Sequence, residues 1–135
     1  MTALTCTTRL EAIACTFLIE RRSPSLVHVR IEGHDVGEFG DLPMRAIEAF
    51  LPPAARAELF IDARATRGAT IDVSNAWSAW LGRNRERFSA IHMLAGSRYV
   101  VVTAEFVRRF SELEQLMRVH TSGEEFDAAL AASTP

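Results

Sequence analysis

The sequence predicts an α/β domain: a mixed, mostly parallel sheet of four to five strands, opened by an N-terminal β-hairpin and covered by about four helices. Three observations predict it. Short apolar runs alternate with segments of helical spacing through the second half of the chain, which is the pattern of parallel strands joined by helices. Two alternating segments near the N-terminus are joined by Ser23-Pro24-Ser25, a turn signal. The chain has 135 residues, 48% hydrophobic and 24% charged, which suits one domain with its own core and needs no disulfide or metal to fold.

Residues 1–14 form an N-terminal extension whose structure the pattern leaves open, as an extra strand or a short helix; residues 15–135 form the single domain. Residues 15–22 read CTFLIERR, with Phe17, Ile19 and Arg21 alternating against Leu18 and Glu20. Residues 26–32 read LVHVRIE: Val27, Val29 and Ile31 point one way, and His28, Arg30 and Glu32 point to solvent. Residues 33–40 are a glycine-rich connection. Asp41 can then cap a helix with Pro43 in its first turn and Met44, Ile47, Phe50 and Leu51 on one face, ended by Pro52-Pro53.

Residues 58–63 read ELFIDA, whose continuous apolar run suits a central strand covered on both faces. A loop over residues 64–71 follows, and Asp72 or Ser74 can cap a second helix with Trp77, Trp80, Leu81 and Phe88 at helical spacing. Residues 90–95, AIHMLA, form another buried strand, turned by Gly96-Ser97. Tyr99 to Val102 favour strand by residue type, whereas from Thr103 the pattern is helical, with Phe106, Val107, Phe110 and Leu113 recurring at helical spacing. Residues 116–120 form a short strand. Both Thr121 and Ser122 have a Glu three residues on, a capping box in two registers, and a last helix turns Phe126, Ala129 and Leu130 inward.

Composition narrows the function classes. The formal net charge is -2, and all 15 basic residues are Arg, spread along the chain, so a sequence-independent grip on nucleic acid is not expected. No apolar stretch approaches the roughly 20 residues of a membrane span, and residues 1–9 show no signal peptide, so the expectation is a cytoplasmic protein. Cys6 and Cys15 form no CxxC motif, and Cys15 reads as a small buried hydrophobe. His28, His34, His92 and His120 fall on separate elements without HxH or HxxxH spacing, so no metal and no cofactor are expected. The chain carries no GxSxG, phosphate loop or GxGxxG, and no base is set beside a nucleophile, so no catalytic residue is assigned and enzyme activity is not expected.

One region stands out by topology. Ligands of open parallel sheets bind near the C-terminal strand ends, where Asp62 should lie. Arg64, Arg67, Asp72, Ser74, Asn75 and Ser97 should fall on the same rim, as a ligand or partner site. The plainer reading of these residues is caps and turns.

The segments also carry a resemblance. CTFLIERRSPSLVHVRIEG resembles the opening hairpin of the SpoIIAA-like fold, the superfamily that contains STAS domains. ELFIDARATRGATIDVSNAWSAWL resembles its central strand, loop and following helix, and TAEFVRRFSELEQLMRVHTSGEEFDAAL its last strand flanked by two helices, with AIHMLAG between. The likeness spans about residues 15–132, carried by the order of elements and the pattern around Arg108-Arg109-Phe110. STAS domains of the anti-sigma-factor-antagonist type are interaction switches, phosphorylated on a Ser or Thr in a pattern like Asp-Ser-Ser-Gly. Here the matching stretch is Asp72-Val73-Ser74-Asn75, with Val73 at the phosphorylated position. The resemblance therefore implies a non-enzymatic interaction or regulatory module with a protein partner, lacking the usual phosphorylatable Ser. A homodimer stays open, and so does a small-molecule role at the strand-end rim for a lipid, nucleotide or anion.

Overall fold

The computed structural model describes residues 6–133. Six strands and four helices follow in the order β1 (Cys6–Glu11), β2 (Cys15–Ser23), β3 (Leu26–Asp35), α1 (Leu42–Phe50), β4 (Ala57–Ala69), α2 (Ile71–Asn84), β5 (Phe88–Ala95), α3 (Arg98–Phe110), β6 (Met117–His120) and α4 (Gly123–Ser133). The sheet order is β1-β2-β3-β4-β5-β6: the first three strands are antiparallel neighbours, and β3 to β6 run parallel. One strand more than expected comes from the N-terminal segment, which pairs with β2 from Cys6 opposite Arg21 to Glu11 opposite Thr16.

Three successive parallel crossovers advance the sheet in one direction, so their common handedness puts α1, α2 and α3 on the same face. There Phe17, Ile19, Val27, Val29, Leu59, Ile61 and Ile91 pack with Met44 and Ile47 of α1, Trp80 and Leu81 of α2, and Ala104 and Val107 of α3. Among the described residues, the other face receives α4 as its one helix. Leu26, Phe60 and Leu94 close around Phe126, with Ala129 and Leu130 beside them. The continuous run in β4 thus reflects burial on both sides, as its composition implies.

The structure corrects several local readings. β4 runs to Ala69 instead of ending at residue 63. The expected loop pairs with the end of β3, from Glu32 opposite Ala65 to Asp35 opposite Ala69, after a register shift. Thr66 Oγ1 donates to the Ile31 carbonyl at 2.9 Å. Hydrogen bonds hold this polar ribbon, so its strand character carries no apolar signature. α2 begins at Ile71, capped by Thr70, whose hydroxyl accepts from the Val73 amide at 3.3 Å; neither Asp72 nor Ser74 is the cap. α3 is helical from Arg98, because the Ser97 hydroxyl accepts from the Val100 amide and overrides the strand preference of the β-branched residues after it. Ser122 sets the register of α4, accepting from the Glu125 amide at 3.4 Å. His28 is buried rather than solvent-facing, because α4 returns to that face of the sheet.

Two glycines are fixed by close approach. Gly33, at φ +94°, breaks the alternation of β3, and a Cβ there would stand 2.1 Å from the Ala14 carbonyl oxygen. A Cβ on Gly96 would stand 2.2 Å from the Arg64 carbonyl oxygen, so only glycine lets the β5–α3 turn cross β4. Gly33→Ala combines a disfavoured φ with a backbone clash; chemical denaturation should show a loss of about 3 kcal/mol, and an unchanged midpoint would contradict this contact.

Candidate functional site

The strand-end rim separates into two groups on opposite faces of the sheet. Asp62 shares the face of Phe60, under α4, and is buried. Its carboxylate accepts from the Arg64 backbone amide at 3.1 Å and from Arg64 Nε at 3.0 and 3.1 Å. Arg64 Nη2 reaches on to Asp127 of α4 at 2.7 Å. Together with Arg30, Glu32 and Ala65 these residues line an open cleft of about 430 Å³. Donating hydrogen bonds to both carboxylates holds the Arg64 guanidinium well above its ordinary value, so it stays charged at every accessible pH. Two of the Arg64 nitrogens, Nε and Nη2, are thus already taken by Asp62 and Asp127.

The second group lies on the α2 side. Asp72 is exposed in the first turn of α2, where its charge favours the helix dipole. The Ser74 hydroxyl donates to the Thr70 carbonyl at 3.1 Å and is buried. Asn75 is exposed, Arg67 projects from the ribbon end of β4, and Ser97 is the α3 cap. The structure therefore brings Asp62 and Arg64 together, and sets Asp72, Ser74 and Asn75 apart from them.

Beneath α4, histidines that are scattered in sequence meet. His92 Nδ1 lies 2.9 Å from His120 Nε2, with one proton between the two nitrogens. Phe60 stacks on His92 at 4.5 Å between centroids, and Phe126 sets its edge to His120. His28 sits beside Phe126, with its Nδ1 buried and unbonded and Glu20 Oε1 3.8 Å away. Desolvation is the first cause that lowers all three histidines, with Arg22 adding at His28, His120 and Arg118 at His92, and Arg118 at His120. His28 is pushed down to about 4. Among the described residues no group of three or more His, Cys, Asp or Glu is arranged to hold a metal ion.

The feature that sequence reasoning missed is on α3. Its inner face buries Val100, Ala104 and Val107, as helical spacing requires. Its outer face carries Tyr99, Val102, Phe106 and Phe110, exposed by 79, 65, 41 and 71%. Spacings of three, four and four place them in one stripe, and the Phe106 and Phe110 rings stack at 5.0 Å. The stripe ends beside a cleft of about 630 Å³ between α2 and the turn after α3, lined by Asn75, Ser78, Ala79, Gly82, Arg83 and Phe110 among others. Ser78 is buried there with its Oγ unbonded. The available signal was a helix apolar on two faces. By contrast, the apolar void between the sheet and α2–α3 measures about 60 Å³, well under the size of an organic-ligand pocket.

No protein-family model matches the chain, and none of the curated proteins does. Solved structures do. An uncharacterized protein of the DUF3478 family with a SpoIIAA-like fold, from Shewanella loihica PV-4, superposes with a TM-score of 0.58 at 9% identity, covering 96% of this chain and 98% of that one. The anti-sigma factor antagonist SpoIIAA in its unphosphorylated form superposes with a TM-score of 0.55 at 20% identity, covering 85% of this chain and 96% of that one. The chain has the SpoIIAA-like, STAS-type α/β fold. No helix among the described residues is long and apolar enough to cross a membrane.

His28 and His120, which are buried, and the half-buried His92 give the fold a defined acid sensitivity. Their folded values lie below the ordinary 6.5, so below about pH 6.5 the unfolded chain takes up protons that the folded chain refuses. Stability should be flat above that point and fall as pH drops towards 4. At about pH 5 the His28 share is about 2 kcal/mol. Urea unfolding of His28→Leu should show a smaller drop between about pH 7 and pH 5 than the parent; parallel curves would assign the acid sensitivity elsewhere.

Proposed function

We propose that this protein is a non-enzymatic interaction module of the STAS type, which docks a protein partner on its α2–α3 face. The observation that carries the reading is the exposed stripe Tyr99, Val102, Phe106 and Phe110 on a helix whose other face already supplies the core. Single exposed apolar residues are ordinary, but four in register with two rings stacked form a contiguous patch, the usual mark of an interface. Two supports come from elsewhere. The fold is shared with a protein named as an anti-sigma factor antagonist. The residue at the phosphorylated position of that resemblance is Val73, which has no hydroxyl, and the Ser74 hydroxyl is bonded inward to Thr70. The module therefore works without the usual phosphorylatable Ser. The strand-end rim offers less to a free ligand, since Asp62, Arg64 and Asp127 already satisfy one another.

Phe106→Asp with Phe110→Asp is the direct test. Phe110 is mostly exposed and Phe106 is 41% exposed, so the double variant should stay folded with a stability loss of no more than about 2 kcal/mol. A partner captured by the parent from its native lysate after crosslinking should be lost by the double variant. Retention of the same partner by a folded double variant would move the docking face off α3.

A further inference from the structure

We propose that the α2–α3 face takes an acidic amphipathic helix of its partner, an inference that rests on the interaction reading above and adds the partner's chemistry. The stripe from Tyr99 to Phe110 covers eleven steps of α3, about 16 Å, which is the length of three turns of a helix laid along it. Its residues recur at the spacing that accepts the apolar seam of such a helix. At the Phe110 end the stripe runs into the cleft beside Ala79 and Gly82, where the small residues leave room for a large side chain. The buried, unbonded Ser78 Oγ adds a hydrogen-bonding atom in that wall.

The charges around the seam choose the partner. Arg98 stands at one end, and Arg109 and Arg83 at the other, all exposed and none in an ion pair with another of the described residues. Arg85, also in the cleft wall, is paired with Glu112 at 3.2 Å. Glu105 on α3 is paired with Arg108 at 3.3 Å. Glu105 and Glu112 are thus matched, while these three guanidiniums are not. A second copy of the chain would bring the same unmatched arginines against each other in either helix direction, because Arg98 and Arg109 sit at opposite ends of one seam. An acidic helix neutralises them, and Arg can do so in bidentate geometry.

Three labelled synthetic peptides of about 16 residues test this by fluorescence anisotropy on the full chain. One carries a Leu/Phe seam at helical spacing flanked by Glu, one has the same seam flanked by Lys, and one scrambles the Glu peptide. The Glu-flanked peptide should bind saturably, about tenfold or more tighter than either control, and weaken with added salt. Arg83→Glu with Arg109→Glu should lower its affinity about tenfold at an unchanged melting temperature. Equal binding of the Glu and Lys peptides would overturn the acidic assignment. So would binding of neither, or preference for vesicles of anionic phospholipid over the Glu peptide. If the Phe106→Asp, Phe110→Asp variant still loses its captured partner in such a case, the α2–α3 docking reading stands while the acidic helix falls; if capture survives, both fall.

Discussion

The whole architecture depends on β4 being covered from both sides. Leu59 and Ile61 project into one layer and Phe60 and Asp62 into the other, so a single strand links the two cores. Residues of all four of these positions are buried. Parallel pairing on each side forces the chain to cross over between strands, and the fixed hand of those crossovers commits α1, α2 and α3 to one face. The chain after β6 supplies the cover of Phe60, through Phe126. There α4, a short helix with one fully buried aromatic, is the sole helical cover of the second face among the described residues.

The second face pays for this thin cover with polar groups in unusual places. His28, Asp62, His92 and His120 project from strands towards α4. Each is dealt with by a local device. Asp62 is neutralised by Arg64, which ties it to Asp127 of α4. The His92–His120 contact satisfies two ring nitrogens with one proton. His28 relies on remaining uncharged beside Phe126. Docking of α4 is therefore electrostatic as well as apolar.

The first face has the opposite character. Three helices bury it well, and the surplus apolar residues of α3 are turned outward. Arg108, just behind that stripe, donates to the carbonyls of Met117 and Glu114 and so fastens the α3–β6 connection. This contact occupies a carbonyl of the edge strand β6 that would otherwise be open to another chain.

The sequence by itself determined the alternation of strands and helices, the opening hairpin, the double burial of residues 59–61 and the inward residues of the last helix, since each is written in local period and residue type. It did not reveal the ribbon from residue 64 to 69, because that pairing is made by backbone hydrogen bonds to β3 and leaves no apolar pattern. It did not place His28, because the face of a strand is legible from alternation but its cover is set by a helix nearly a hundred residues away. The candidate rim was legible as residues near strand and helix ends. Its division into an Asp62–Arg64 pair on one face and an α2 group on the other was not, because only the sheet fixes which face each element takes. For α3 the sequence favoured strand over Tyr99 to Val102 and helix only from Thr103. Tertiary packing alone decided that Val100, Ala104 and Val107 serve the core while Tyr99, Val102, Phe106 and Phe110 face outward, because a helix lying on a sheet can bury only one stripe.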